Sequence, residues 1–170
     1  MVLMNEGNIM KIIEKTVYTF AELSDKAKQK AKHWYCENVE YFWGDEHISE
    51  IKEFLGVFNV ELTRYAYDTH TFSCRTNLDS CKWQGNNKKD VLARLARYQV
   101  GYCAGEGLKQ YFMAEYVKHG SIKRAIIEAL GKSFKELCKD YEYHFSDEAI
   151  EYFFGSDEDH FYFYEDGTLA

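Results

Sequence analysis

One stretch, Ser121 to Tyr141, constrains the fold more than any other. Its apolar residues fall at Ile122, Ile126, Leu130, Phe134, Leu137, Cys138 and Tyr141. That spacing places all seven on one side of a helix with 3.6 residues per turn. Lys123, Arg124, Lys132, Lys135 and Lys139 occupy much of the remaining surface. Ser121 follows Gly120, and its hydroxyl can accept a hydrogen bond from a free amide of the first turn. A helix with a single apolar stripe is not stable alone in water. The pattern therefore predicts a central core helix over about 121–141, covered by the rest of the chain.

Residues 1–9 are expected to form a loose leader, and 10–170 a single globular α+β domain, because no linker interrupts the pattern. Lys11 to Phe20 reads as a strand. Ser24 caps a helix to about Asn38 that lines one face with Ala27, Ala31, Trp34 and Tyr35. A second helix over Asp45–Leu55 buries Ile48, Ile51, Phe54 and Leu55, with Gly56 as its left-handed stop. Val57–Tyr67 and Thr71–Thr76 read as strands. Lys88–Gln99 and Leu108–Val117 read as helices. Ser146 opens a last helix over Asp147–Phe154, and Phe161–Tyr164 is a closing strand. The expected fold is a small, largely antiparallel sheet of about four strands, with helices packed on one face around the helix at 121–141.

A chain of 170 residues is one domain by default and can bury about two thirds of its unfolded surface. Apolar residues at 46% and charged residues at 29% exclude a disordered chain. No apolar run reaches the roughly 18 residues a membrane span needs, and no signal peptide is evident. Five cysteines without regular spacing read as reduced thiols in a cytoplasmic protein. The net charge of −7 is unevenly spread: residues 141–170 hold nine acids and no Lys or Arg, against 19 acids and 21 bases elsewhere. The same thirty residues hold ten aromatics. Alternate residues of a strand point to opposite faces, so one side of a sheet cannot bury them all.

Candidate chemistry is sparse. Asp68, His70, Cys74 and Cys81 are metal-ligand residue types, but their spacing is not that of a zinc knuckle. Asp157-Glu158-Asp159-His160 lacks the glycine and the alternating ligands of a calcium loop. Cys103 could serve as a nucleophile if a histidine lay beside it. Gly101, Gly105 and Gly107 lack the Lys-Ser ending of a phosphate loop. No motif calls for a cofactor or a metal. Lys88, Lys89, Arg94 and Arg97 make a basic helix that could meet phosphates. Tyrosines amid carboxylates could meet a basic partner, the rings supplying area and the carboxylates steering.

Two segments, KTVYTFAELSDKAKQKAKHWY (Lys15 to Tyr35) and YEYHFSDEAIEYFF followed by FYFYEDGTL (within Tyr141 to Leu169), resemble a family of small uncharacterised proteins of bacteriophages and prophages. In that family a similar strand, serine-capped helix and Trp-Tyr pair open the chain, and a similar Glu-Asp-Gly ending closes it. The matched parts cover about a quarter of this sequence. The middle departs, since relatives tend to carry a glycine- and serine-rich hairpin where this chain has Tyr65 to Arg75. Some members bear an antitoxin label. The resemblance implies an accessory protein made in an infected bacterial cell and supplies no active residues to carry over.

Charge segregation and resemblance together lead to a first expectation: a non-enzymatic phage or prophage protein that binds and inhibits a host bacterial protein with a basic surface. Its action would be anti-defence, in the manner of anti-CRISPR inhibitors. The expected contact is Tyr162, Tyr164, Glu158, Asp159, Glu165 and Asp166. A second expectation is a nucleic-acid-binding regulator of the antitoxin kind, acting through Lys88, Lys89, Arg94 and Arg97. A third is a small metal-dependent enzyme around Asp68, His70 and Cys74.

Overall fold

The structure, a computed structural model, describes residues 14–83, 86–99, 101, 103–156 and 161–170. The leader expected over 1–9, the first residues of the expected opening strand, and Glu158 and Asp159 lie outside them. Helix and sheet are mixed. The α-helices among the described residues are α1 (Asp25–Asn38), α2 (Trp43–Val57), α3 (Asn86–Arg97), α4 (Gly105–His119), α5 (Ile122–His144) and α6 (Asp147–Gly155). Two strands, β1 (Leu62–Tyr67) and β2 (Phe72–Thr76), form an antiparallel ribbon. The contacts divide the chain into two compact units: a terminal one from 1–39 and 147–170, and a middle one from 40–146.

In the terminal unit, local capping sets the course of the chain. The Glu22 carboxylate accepts from the Thr19 backbone N–H at 2.8 Å and from the Thr19 hydroxyl at 2.9 Å, which winds Phe20–Glu22 into a 3-10 turn. Ser24 Oγ then accepts from Ala27 N at 3.4 Å and starts α1. Ala27, Ala31 and Tyr35 are buried along one face. Phe154 of α6 is the hub of the core. Its ring lies 5.2 Å from Phe20, 5.8 Å from Tyr35, 5.5 Å from Phe161 and 5.1 Å from Phe163. Such ring packing adds to the stabilisation from buried area alone.

The four-stranded sheet expected from the sequence does not form among the described residues. Among the described residues the opening and closing segments meet at one bridge, Tyr18 with Phe163, and the closing segment bridges back on itself, Phe163 with Leu169. Tyr18 and Phe163 exchange both backbone hydrogen bonds, at 2.8 and 2.9 Å. Two residues later the capped 3-10 turn takes the first segment out of register. On the other side the chain folds back at once, with Tyr164 N donating to Thr168 O at 2.8 Å and Gly167 N to Tyr164 O at 2.9 Å. The only sheet among the described residues is the two-stranded ribbon.

The middle unit is built on α5. Ile122, Ile126, Leu130, Phe134, Leu137 and Cys138 are buried, together with Ala125, Ala129 and Ser133. Ser121 Oγ accepts from Arg124 N at 3.3 Å, and Gly120 takes the left-handed conformation (φ 65°) that closes α4. Their short link makes α4 and α5 a helical hairpin. Phe54, Phe58 and Phe112 pack together, with ring centroids 4.9–6.1 Å apart. α2 runs past Gly56 to Val57, and the left-handed residue is Asn59 (φ 56°), not Gly56. Asparagine tolerates that conformation through local hydrogen bonding, and Arg94 donates to its Oδ1 at 3.2 Å. Val60 N then reaches Leu55 O at 3.1 Å, and Phe58 and Val60 enter the core. The residues after α2 are therefore spent on ending the helix, and the strand begins only at Leu62.

α4 starts three residues before the expected Leu108 because its cap comes from elsewhere in the chain. The Glu50 carboxylate of α2 accepts from the backbone N–H groups of Cys103 (2.9 Å), Ala104 and Gly105 (2.8 Å). A charged acceptor at the positive end of a helix satisfies donors the helix cannot. The ribbon rests on α5 through Phe72, which stacks on Phe134 at 5.2 Å, and Tyr67, edge-on to Tyr141 at 5.8 Å. The Tyr67 hydroxyl occupies the space a side chain on Gly44 of α2 would need.

Candidate functional surfaces

The acidic terminal unit presents a surface made by α6 and the C-terminal turn. α6 buries Ile150 and Phe154, which turns Glu148, Glu151 and Tyr152 outward. Tyr152 is 78% exposed. Among the described residues, Glu148 meets no lysine, arginine or histidine. Asp147 and Glu151 close on Lys32 of α1, at 3.0 and 2.7 Å. Lys32 is 7% exposed. Burial works against its charge, but the bonds and charges of Glu151 and Asp147 outweigh that and hold its pKa above the ordinary lysine value. Removing those acids would leave a buried ammonium unpaired, so they belong to the scaffold.

The residues expected to form the contact divide. Tyr162 is 45% exposed, and Phe163 beside it is sealed. Glu165 is exposed at the turn. Tyr164 is half-buried, with the Lys15 ammonium 4.6 Å from its ring centre. Asp166 bonds Lys30 Nζ at 2.6 Å and takes the Thr168 N–H at 3.0 Å and the Thr168 hydroxyl, so its pKa is driven well down. It holds the turn together. Glu158 and Asp159 lie outside the described residues. Among the described residues, the exposed groups on this unit that no contact ties down are therefore Glu148, Tyr152 and Glu165. Glu148 and Tyr152 were missed from the sequence, although their four-residue spacing on a helix sets them side by side.

The basic helix is largely engaged with its own chain. Lys88 Nζ donates to Gly120 O at 3.2 Å and lies 5.2 Å from the Tyr116 ring centre. Arg94 holds Asn59, and Arg97 Nε donates to Ala93 O at 3.3 Å. Lys89 is exposed.

The metal-type residues are not gathered. Asp68 caps the ribbon turn, its carboxylate accepting from His70 N (2.8 Å), Thr71 N (2.7 Å) and Thr71 Oγ1 (3.0 Å). Cys74 lies along β2, and Cys81 Sγ contacts the Asn59 and Asn77 carbonyls. Among the described residues, no three His, Cys, Asp or Glu side chains converge to hold a metal ion.

The middle unit also carries a shallow cleft of about 470 Å³, lined by Trp43, Glu46, Ser49, Glu50 and Cys103. Burial and the charges of Glu50 and Glu46 push the Cys103 thiol up, away from the reactive thiolate. On α2, the helix that carries Glu46 and Glu50, His47 is 3% exposed and bonds Ser133 Oγ at 2.9 Å. Burial lowers the His47 pKa, while Asp140, Glu50 and Glu136 oppose the shift. Burial raises the carboxyl of Asp140, with His47 and Glu136 also acting on it.

A pH dependence follows from His47. In the unfolded chain the imidazole protonates near its ordinary value of 6.5, and in the fold it protonates lower. Between the two values the unfolded state binds more protons, so this contribution is complete above 6.5 and is lost as pH falls through the window below it. Thermal unfolding at about pH 7.5 and about pH 5.5 is expected to show a larger fall for the wild type than for His47→Gln. An equal fall in both would remove His47 as the source.

Comparison of the chain with protein-family models, with curated proteins and with solved structures returns no match. No helix among the described residues is long and apolar enough to cross a membrane.

Proposed function

We propose that the protein is a non-enzymatic phage or prophage accessory protein that binds a host bacterial protein carrying a basic surface and blocks it. The observation that carries this reading is the division of charge. Residues 40–146 hold fifteen acids and fifteen bases, so the whole net charge of −7 belongs to the terminal unit. That unit also has an aromatic core that fixes its outward tyrosines and carboxylates on a packed scaffold. Exposed rings supply contact area with little side-chain entropy to lose, and unpaired carboxylates steer a positive partner. The phage or prophage origin, and with it an anti-defence role in the bacterial cytoplasm, rests on the resemblance of the two end segments. Those segments, distant in sequence, fall mostly within the terminal unit, with 141–146 in the middle one.

The test is capture from a bacterial lysate with tagged wild type, Glu148→Lys/Glu165→Lys, and Tyr152→Ala. Wild type is expected to retain a basic protein that moderate salt releases and whose activity it inhibits. Both variants are expected to bind about tenfold more weakly or worse. Identical, salt-insensitive capture by all three proteins would dismiss the reading.

A further inference from the structure

The outer face of the β1–β2 ribbon sets two arginines opposite one another. The register sets Arg64 directly opposite Arg75, Ala66 opposite Ser73, Tyr65 opposite Cys74 and Tyr67 opposite Phe72. Tyr67 and Phe72 face α5, and Tyr65 lies under the Lys52 ammonium of α2 at 5.3 Å. By the two-residue period of a strand, Arg64, Arg75, Ala66 and Ser73 share the opposite face. All four are exposed.

Like charges directly opposite one another across a ribbon oppose its formation. The cost is avoidable here, because acids lie close by and, among the described residues, neither arginine pairs with one. Glu61 precedes β1 by one residue, yet no ion pair joins it to Arg64 among the described residues. Asp68 at the other end has its carboxylate committed to the turn. Thr63 is the extra residue of a bulge, and its hydroxyl donates to Arg75 O at 3.0 Å, pinning the strand beneath the second guanidinium. Lys135 and Lys139, both exposed, follow Phe134 and Cys138, the α5 residues in contact with Phe72 and with Thr71 O of the ribbon turn.

We infer that this face docks on the phosphodiester backbone of duplex DNA. Paired guanidiniums match adjacent phosphates, each a planar donor fork against two anionic oxygens. The face offers no large apolar side chain, only Ala66 and Ser73 beside the arginines, so its chemistry fits an anionic partner and not an apolar groove. A two-stranded ribbon is admitted by the major groove of B-DNA, whereas the major groove of duplex RNA is too narrow.

The test uses fluorescence anisotropy of the full chain with labelled random duplex DNA, duplex RNA and an acidic peptide at low salt. Wild type is expected to bind duplex DNA, with affinity falling by a log–log salt slope of about −2, as two neutralised phosphates require. Arg64→Glu/Arg75→Glu is expected to bind at least about tenfold more weakly, while Lys89→Glu/Arg97→Glu binds as wild type. Arg75→Glu alone places opposite charges across the ribbon and is expected to unfold at or above the wild-type temperature, which separates lost binding from lost structure. DNA binding unaffected by the double reversal would overturn the inference, as would its absence from wild type. So would preference for duplex RNA or the acidic peptide, or a shift in oligomeric state showing that the arginines meet the acidic unit of a second copy.

Discussion

Gly167→Ala is expected to cost the terminal unit about 2–5 kcal/mol, the left-handed penalty and the steric overlap acting together. The residue sits at φ 83° in the tight C-terminal turn, a conformation that L side chains rarely adopt. A β-carbon there would also fall on the Ala27 carbonyl oxygen and backbone of α1. Neither neighbour can give way. Ala27 lies in the first turn of a capped helix, and Gly167 is held by its bond to Tyr164 O and by the Asp166–Thr168 contacts. Single domains have total stabilities of only about 5–15 kcal/mol, so a loss of this size is severe. Hydrogen exchange is the direct readout. Amides of α1 and α6 should lose protection in Gly167→Ala, and Gly155→Ala, at a position with open space around it, should not show the effect. Unchanged protection in Gly167→Ala would mean that the turn does not seat on α1.

Phe134→Ala is expected to cost about 3–5 kcal/mol, the range for emptying a buried aromatic site. Phe134 is fully buried in the middle of α5, and its ring is the platform on which Phe72 stacks with an interplanar angle of 5°. The substitution therefore removes core volume and the main support of the ribbon at once. A two-stranded ribbon has little stability of its own in water. Denaturant unfolding should show a lower midpoint for Phe134→Ala, and limited proteolysis should cut first between 62 and 76. Phe134→Leu, which keeps much of the volume, is expected to lose less and to leave the ribbon uncut. A ribbon that stays resistant in the alanine variant would show that other contacts carry it.

The helices were legible because their signals are local. The α5 stripe, Ser24 and Ser121 as caps, and the alanine–tyrosine face of α1 all follow from spacing within one element. The ribbon was legible too, as two strands on either side of Asp68, but the wider four-stranded sheet was not. Whether Tyr18 and Phe163 extend into a ladder or stop at one bridge depends on what lies beyond each, namely the Thr19–Glu22 capping box and the Gly167 turn. Glu50 capping a helix that starts 55 positions later leaves no local trace, which is why α4 begins earlier than its own residues suggest.

The same limit applies to the acidic surface. The surplus of carboxylates and rings in the last thirty residues was visible as composition. Its partial neutralisation was not, because Lys15, Lys30 and Lys32 come from the other end of the chain. Those pairings remove Tyr164, Asp166, Asp147 and Glu151 from the available surface and leave Glu148, Tyr152 and Glu165 among the described residues. Screening by salt weakens exposed charges most, so a contact made by this set should be salt-sensitive.

The most direct measurement is a titration of the captured basic partner, once purified, against wild type and Glu148→Lys/Glu165→Lys at low and at high salt. The proposed contact predicts wild-type affinity that drops steeply with salt and a variant that is weak under both conditions. Equal affinities for the two proteins, flat across salt, would place the contact elsewhere on the molecule and contradict the role assigned to the acidic terminal unit.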